Sequence, residues 1–405
     1  MEVKNMQLAS RGIIHAMTFV VACLPLACGY VMEGGDIQIW LARIDEIVMG
    51  LKNGYLPLFP SAELTVAQQA QYSALDSNLW LFLPGFMRMI GMSVTATYRM
   101  YLLFLNVLGF YSAKELFDAL FEDKNTASIA VLLYMTSPYR LYICYDKADF
   151  GMVAAWSLIP FLWSEVYHLY GERITWRRFT KVAVFTALIG YANVILLLVA
   201  LGIVLLWCLW NKDWSSLLPV MVGGGLFLPG AVYWLRYMIK GGMGVWNLPL
   251  GSITKKGYSF GQFFSGWTYA ADKPGVGLGI FVALFLLLWC CMIQKRYAFG
   301  RQTRFFMLLA VLTGAFSMKL FLWDMVQRLG MPFLRMVGMM ETPGILFGFT
   351  TIMLAGFGAY GVACTQQEQK QFVKIGFPVI VIMASLGNAI YICNMLTYTR
   401  MPLFI

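Results

Sequence analysis

Charged side chains are scarce in this chain. Only 12% of its 405 residues are Asp, Glu, Lys or Arg, against about 25% in a soluble domain. With 60% hydrophobic residues and a mean hydropathy of +0.69, there is too much apolar surface to hide inside a water-soluble shape. An all-α, polytopic membrane protein follows. The eight cysteines (Cys23, Cys28, Cys144, Cys208, Cys290, Cys291, Cys364 and Cys393) never stand as a CxxC pair. Neither a metal cluster nor a disulfide framework is indicated, and they read as small bundle hydrophobes. A Walker A loop, a GxGxxG fingerprint and an HExxH helix are also missing, which leaves ATP, dinucleotide and zinc-protease chemistry without sequence support.

What is present is a series of apolar windows: about 12–31, 94–113, 125–142, 149–169, 179–192, 193–210, 215–236, 275–293, 304–322, 342–362 and 374–393. About 11 transmembrane helices in a single integral membrane domain, 1–405, are expected, the first retained rather than cleaved. The pair 179–192 and 193–210, joined at "GYAN", reads as a tight hairpin inside the bundle. The net charge of +10 comes from short basic clusters between windows, which points to membrane sidedness and not to nucleic acid. Lys4 and Arg11, the run Arg173, Arg177, Arg178 and Lys181, and the run Lys295, Arg296, Arg301 and Arg304 all fall on one side. The positive-inside rule makes that side cytoplasmic, with the N-terminus. The long stretches at about 32–93, 237–274 and 323–341 then face outward, so a functional site belongs on the extracytoplasmic face of a cell membrane.

In the first outer stretch Ile37, Leu41, Ile44, Ile47, Val48 and Leu51 recur at helical spacing, which predicts an amphipathic surface helix over 36–50. Asp36, Arg43 and Glu46 fall off that stripe. Asp36 follows Gly34-Gly35 and opens the periodic run, so it suits a helix N-cap. It also suits a carboxylate that deprotonates an acceptor hydroxyl, and a divalent cation at Asp36 is left open. One residue can serve both roles. "YSALDSNLWLFLPGFMRMIG" (72–91) reads as a re-entrant or surface segment anchored by Trp80.

The next outward junction, "SPYRLYICYDKADFGM", sets Arg140, Asp146, Lys147 and Asp149 among tyrosines that include Tyr145. Charges at membrane depth are kept where they pair or face a cavity. Arg140 and Lys147 suit the binding of a phosphate, with local ion pairing as the plainer alternative. Farther on, Asp324, Arg328, Arg335 and Glu341 are the polar groups of the last outer stretch, with Arg335 flanked by apolar residues and expected toward a polar lumen. The Gly- and aromatic-rich loop 240–267 has the composition of a lid with sugar-stacking platforms.

Three segments carry a resemblance: "GGDIQIWLARIDEIVMGLKNGYLPLFP", "SPYRLYICYDKADFG" and "LFLWDMVQRLGMPFLRMVG". Together they resemble the bacterial integral-membrane family typified by YfhO, within the GT-C superfamily of polytopic glycosyltransferases. The resemblance implies transfer of a sugar from a polyprenyl-phosphate-linked donor to a cell-envelope glycan acceptor at the outer face. Asp36 would be the catalytic base, and Lys147 and Arg335 would contact the donor phosphate, with Arg43, Arg140, Tyr145 and Asp149 counted among the substrate-binding groups. Gln38 and Trp40 stand where the family often has a His, and Lys147 where it often has an Arg. Two other function classes suit the same residues: transport or flipping of a lipid-linked or anionic substrate, and a non-catalytic role in envelope assembly.

Overall fold

A computed structural model describes residues 2–27, 37–60, 77–170, 174–230, 232, 254–264, 274–294, 300–328, 343–366 and 371–398. These residues are helical throughout their regular structure, and the one strand-like pairing among them is an isolated parallel bridge between Tyr258 and Met318. In chain order the longer helices are α1 (Glu2–Ala22), α2 (Ile37–Lys52), α3 (Phe82–Met89), α4 (Val94–Leu120), α5 (Lys124–Met135), α6 (Phe150–Leu169) and α7 (Trp176–Ala192). They continue with α8 (Val194–Asn211), α9 (Leu217–Leu226), α10 (Leu278–Gln294), α11 (Arg301–Ser317), α12 (Phe347–Gln366) and α13 (Gln371–Tyr398). Each expected apolar window falls on one of these helices, although the window at 125–142 is interrupted. There α5 stops at Met135, and Ser137-Pro138 starts a new turn, because the residue before a proline is pushed out of the helical region.

Three stretches are long and apolar enough to cross a bilayer by length and composition: Val194–Asn211, Pro343–Thr365 and Ile375–Asn394. They differ in placement. The stretch on α12 has 83% of its window buried inside the protein, whereas that on α13 has 28%. Thus α12 is a central helix and α13 a peripheral one, with much of its apolar surface exposed. The centre is packed through small residues: a side chain at Gly361 of α12 would strike the Ala283 carbonyl of α10 at 2.8 Å. Without water to drive helices together, such close backbone approach is what holds them.

Side-chain caps set the starts of α4 to α8. Ser93 accepts the Ala96 N–H, Asp123 those of Asn125 and Thr126, Thr175 that of Arg178, and Asn193 that of Leu196. Asn193 alone separates α7 from α8. Because Trp207 near the far end of α8 packs on Tyr170, just before α7, the two helices form the expected hairpin. At the end of α2, Gly54 takes a positive φ of 79° and the chain turns toward Pro57.

The two ends of the bundle separate by composition. At one end Arg11 meets Asn125, Arg178 meets the His168 carbonyl, Ser215 meets the Leu169 carbonyl, and Tyr167 meets Gln302. At the other, Tyr145 meets the Ala22 carbonyl, Trp80 that of Leu188, Tyr139 that of Ile345, and the Tyr258 N–H that of Ser317. The residues grouped by their basic neighbours therefore meet at one end, and those of the long intervening stretches at the other.

Candidate functional site at the Tyr-rich end

The junction after α5 is built by a sequence of unusual turns. Ser137 caps a short helix, Pro138–Leu141, with Pro138 in its first turn, where a missing N–H costs nothing. The helix then widens into a π-turn over Tyr142–Lys147. It ends at Ala148, a residue with a side chain held in the left-handed region at φ 50°. Both features are sparsely populated and concentrate at functional positions. Asp149 follows and restarts the chain as α6, its Oδ1 accepting the Met152 N–H at 3.0 Å.

This geometry presents Lys147. Its Nζ lies 3.2 Å from Asp149 Oδ2 and 3.1 Å from the Met152 sulfur, with its side chain 21% exposed. Asp149 therefore does two jobs, capping α6 and holding the ammonium at the turn. Around the pair lies an aromatic wall that sequence reasoning did not single out. Tyr139 packs edge-on against Trp156 and Phe347, and Tyr258 stacks on Phe347 at 4.7 Å. Tyr258 and Phe263 of the loop 240–267 are buried in this packing, so they are not open sugar platforms, whereas Phe260 and Phe264 are exposed. Nearby, Thr254 and Asp324 exchange backbone-to-side-chain hydrogen bonds, each at 3.1 Å, which ties the described part of that loop to the start of the last outer stretch.

The surface helix α2 begins at Ile37, the residue after Asp36, and its first turn comes to this junction. Trp40 packs on Phe150 with ring centroids 5.9 Å apart, and Tyr98 and Tyr101 of α4 close around the same ring. Arg43 departs from its expected place off the buried stripe: it is 1% exposed, lies over the Trp40 ring at 4.6 Å, and donates from Nε to Asn78 Oδ1 at 2.8 Å. The reason is that α2 buries a face centred on Trp40, Ile44 and Ile47, onto which position 43 also falls, and Asn78 supplies the polar partner. Asn78 is in turn held by the Pro57 carbonyl. Asp45 is exposed on the opposite face, as expected of a wet residue, while Glu46 is half-buried. Trp80 is pinned to α7 by its indole N–H and is not a free lipid anchor; Ile90, 79% exposed, and Phe86 carry the apolar surface of α3 instead.

Two further expected contacts sit in the interior. Arg140, 1% exposed, donates from Nη2 to Ser157 Oγ at 3.0 Å, and the Tyr134 hydroxyl also lies beside its guanidinium. Tyr145 is wholly buried, donating to the Ala22 carbonyl at 2.6 Å and accepting from Asn106 Nδ2 at 2.9 Å. Both are held by protein groups between α1, α4 and α6, away from the outer surface where a phosphate contact was expected. Asp36 and Arg335 lie outside the described residues. Among the described residues no group of three His, Cys, Asp or Glu is placed to hold a metal ion.

The fold is thus that of an all-helical protein with membrane-spanning potential, bearing at one end a strained junction that holds the Lys147–Asp149 ion pair. Compared with known proteins, the chain matches no family model and no curated protein.

Proposed function

We propose that this chain is an envelope glycosyltransferase of the GT-C kind, resembling the YfhO-like family, with about 11 crossings and a cytoplasmic N-terminus. It would take a sugar from a polyprenyl-phosphate carrier at the outer face of the cell membrane. The observation that carries the reading is the contact between Trp40 and Phe150. It brings the start of α2, one turn beyond Asp36, to the turn that presents Lys147. The first turn of α2 and the turn that carries Lys147 are thus neighbouring elements at one end of the bundle, which supports a joint role for Asp36 and Lys147.

In this mechanism the acceptor oxygen bonds to the anomeric carbon of the sugar, its proton passing to Asp36, as the bond from that carbon to the phosphate oxygen breaks. The bonding electrons leave with the phosphate, and Lys147 with Arg335 offsets the charge that builds there. Cations preorganised at a developing anion lower the barrier more than they tighten ground-state binding. Arg43 is a positioning residue here, since it fixes Trp40 and through it the start of α2. Asp149 likewise positions Lys147.

The test uses the full chain in nanodiscs with undecaprenyl phosphate as probe, read by native mass spectrometry, and transfer followed in membranes of the producing cell. Lys147→Ala is expected to lower probe retention about tenfold, within the range for one charge-assisted hydrogen bond to a phosphate. Asp36→Asn is expected to retain the probe and lose transfer. Undiminished transfer by Asp36→Asn, or equal retention by Lys147→Ala, overturns the assignment.

A further inference from the structure

At the opposite end of the bundle, the end that carries the basic runs, α4, α6, α11 and α12 line a half-open cavity of about 200 Å³. Its walls are graded. Phe117, Phe306, Ile352 and Met353 line its apolar part, whereas Tyr167, Gly300, Gln302 and Thr303 line its polar part. The gradient follows the axis of α11, whereas the α4 wall stays apolar through Leu120 and Phe121 at its end. On α11 the chain runs from the polar group at Gly300–Thr303 to Phe306, and the α12 wall from Ile352 to Tyr360 covers about 12 Å at 1.5 Å per residue. Tyr167 and Gln302 are hydrogen-bonded to each other at 3.0 Å across this polar part.

We propose that this cavity holds the headgroup-proximal part of one acyl chain of an anionic phospholipid from the leaflet at the basic end. A lipid in that leaflet carries the same gradient in the same direction, headgroup at the helix ends and chain toward the bilayer centre. Charge complementarity selects an anionic headgroup. The polar part of the cavity includes Gly300, Gln302 and Thr303, which alternate with Arg301 and Arg304 at the start of α11. Arg304 is exposed. The acid beside Phe117, Asp118, is already matched by Lys114 and Lys124, and Glu122, beside Phe121, is exposed. Basic residues at a membrane face draw anionic lipids in this way. The site is separate from the Tyr-rich junction and does not depend on the transferase reading.

The structure offers a way to fill the cavity without straining the fold. Gly356 of α12 lines it, and an added Cβ there would meet only a Phe117 ring atom, at an ordinary 3.5 Å. Gly356→Leu therefore places a side chain in the space the acyl chain would occupy. The full chain would be purified with phosphatidylglycerol and phosphatidylcholine of the same acyl chains, and retained lipid read by native mass spectrometry. The expected result is preferential retention of phosphatidylglycerol by the wild type and its loss from Gly356→Leu at an unchanged or raised unfolding temperature. Arg304→Glu, a surface change, is expected to lower phosphatidylglycerol retention about fivefold, roughly the factor one interfacial cation contributes, and to spare phosphatidylcholine. If Gly356→Leu does not fold, Thr303→Leu, which fills the same cavity from α11, replaces it with the same expected and overturning results. Wild-type-like phosphatidylglycerol retention by a folded Gly356→Leu overturns the site, and equal retention of the two lipids by the wild type, or phosphatidylglycerol retention by Arg304→Glu unchanged from the wild type, overturns the headgroup assignment.

Discussion

Single residues at the junction behave according to what pairs them. Arg140 and Lys147 look alike in the sequence, two cations among tyrosines. The structure separates them, because Arg140 points back between α4 and α6, where Ser157 and the Leu105 carbonyl accept from Nη2, while Lys147 stays at the turn with Asp149. Arg140 is accommodated only because Gly109 lacks a side chain, and a methyl there would run into Nη2. Gly109→Ala is therefore expected to cost about 1–3 kcal/mol, the range for overpacking together with a lost hydrogen bond to a charged group. Unfolding of the detergent-solubilised variant checks this, and an unchanged midpoint would mean that the guanidinium has room to move.

At the scale of the element, the caps are the most exposed to test. Asn193 both ends α7 and starts α8, so Asn193→Ala removes the acceptor for the Leu196 N–H at a buried position. A loss of about 1 kcal/mol is expected, seen as a lowered unfolding midpoint, with Asn193→Asp retaining most of the wild-type value. Asp123, at the start of α5, makes a pH prediction. Burial alone pushes its carboxyl upward. The Thr126 hydroxyl and N–H, the Asn125 N–H and the Arg11 charge outweigh that and hold it below its ordinary value of 3.8. A depressed carboxyl stabilises the fold above its unfolded value, and that contribution is lost as pH falls through the lower folded one. The stability difference between wild type and Asp123→Asn should therefore be full at pH 5 and above and shrink below pH 3.8. A difference constant down to pH 2 would show that the cap does not act through its charge.

For the whole molecule the sidedness makes the sharpest prediction. With the native cysteines replaced, a cysteine at exposed Lys52 should react with an impermeant thiol reagent added outside intact cells. One at exposed Arg177 should react only after permeabilisation. The opposite pattern would invert the bundle, put the Tyr-rich junction in the cytoplasm, and remove the basis for chemistry on an outward-facing lipid carrier. The two ends are legible from both directions: basic runs sort them in the sequence, and hydrogen bonds such as Arg11 to Asn125 and Tyr145 to Ala22 sort them in space.

Periodicity and composition by themselves determined the helical class, the positions of nearly all helices, the hairpin at Asn193, and the amphipathic α2 ending at Gly54. These depend on local physics: apolar length, capping chemistry and the backbone limits of Pro and Gly. The tertiary structure alone decided which charges face the interior, because burial of a cation depends on a partner distant in the chain. Asn78 draws Arg43 inward over Trp40, Ser157 holds Arg140 beside Gly109, and Asp149 keeps Lys147 at the turn. The sequence pattern did not contain the π-turn, the left-handed Ala148, or the approach of Trp40 to Phe150. Each arises where the bundle forces a local conformation that the residues would not adopt alone.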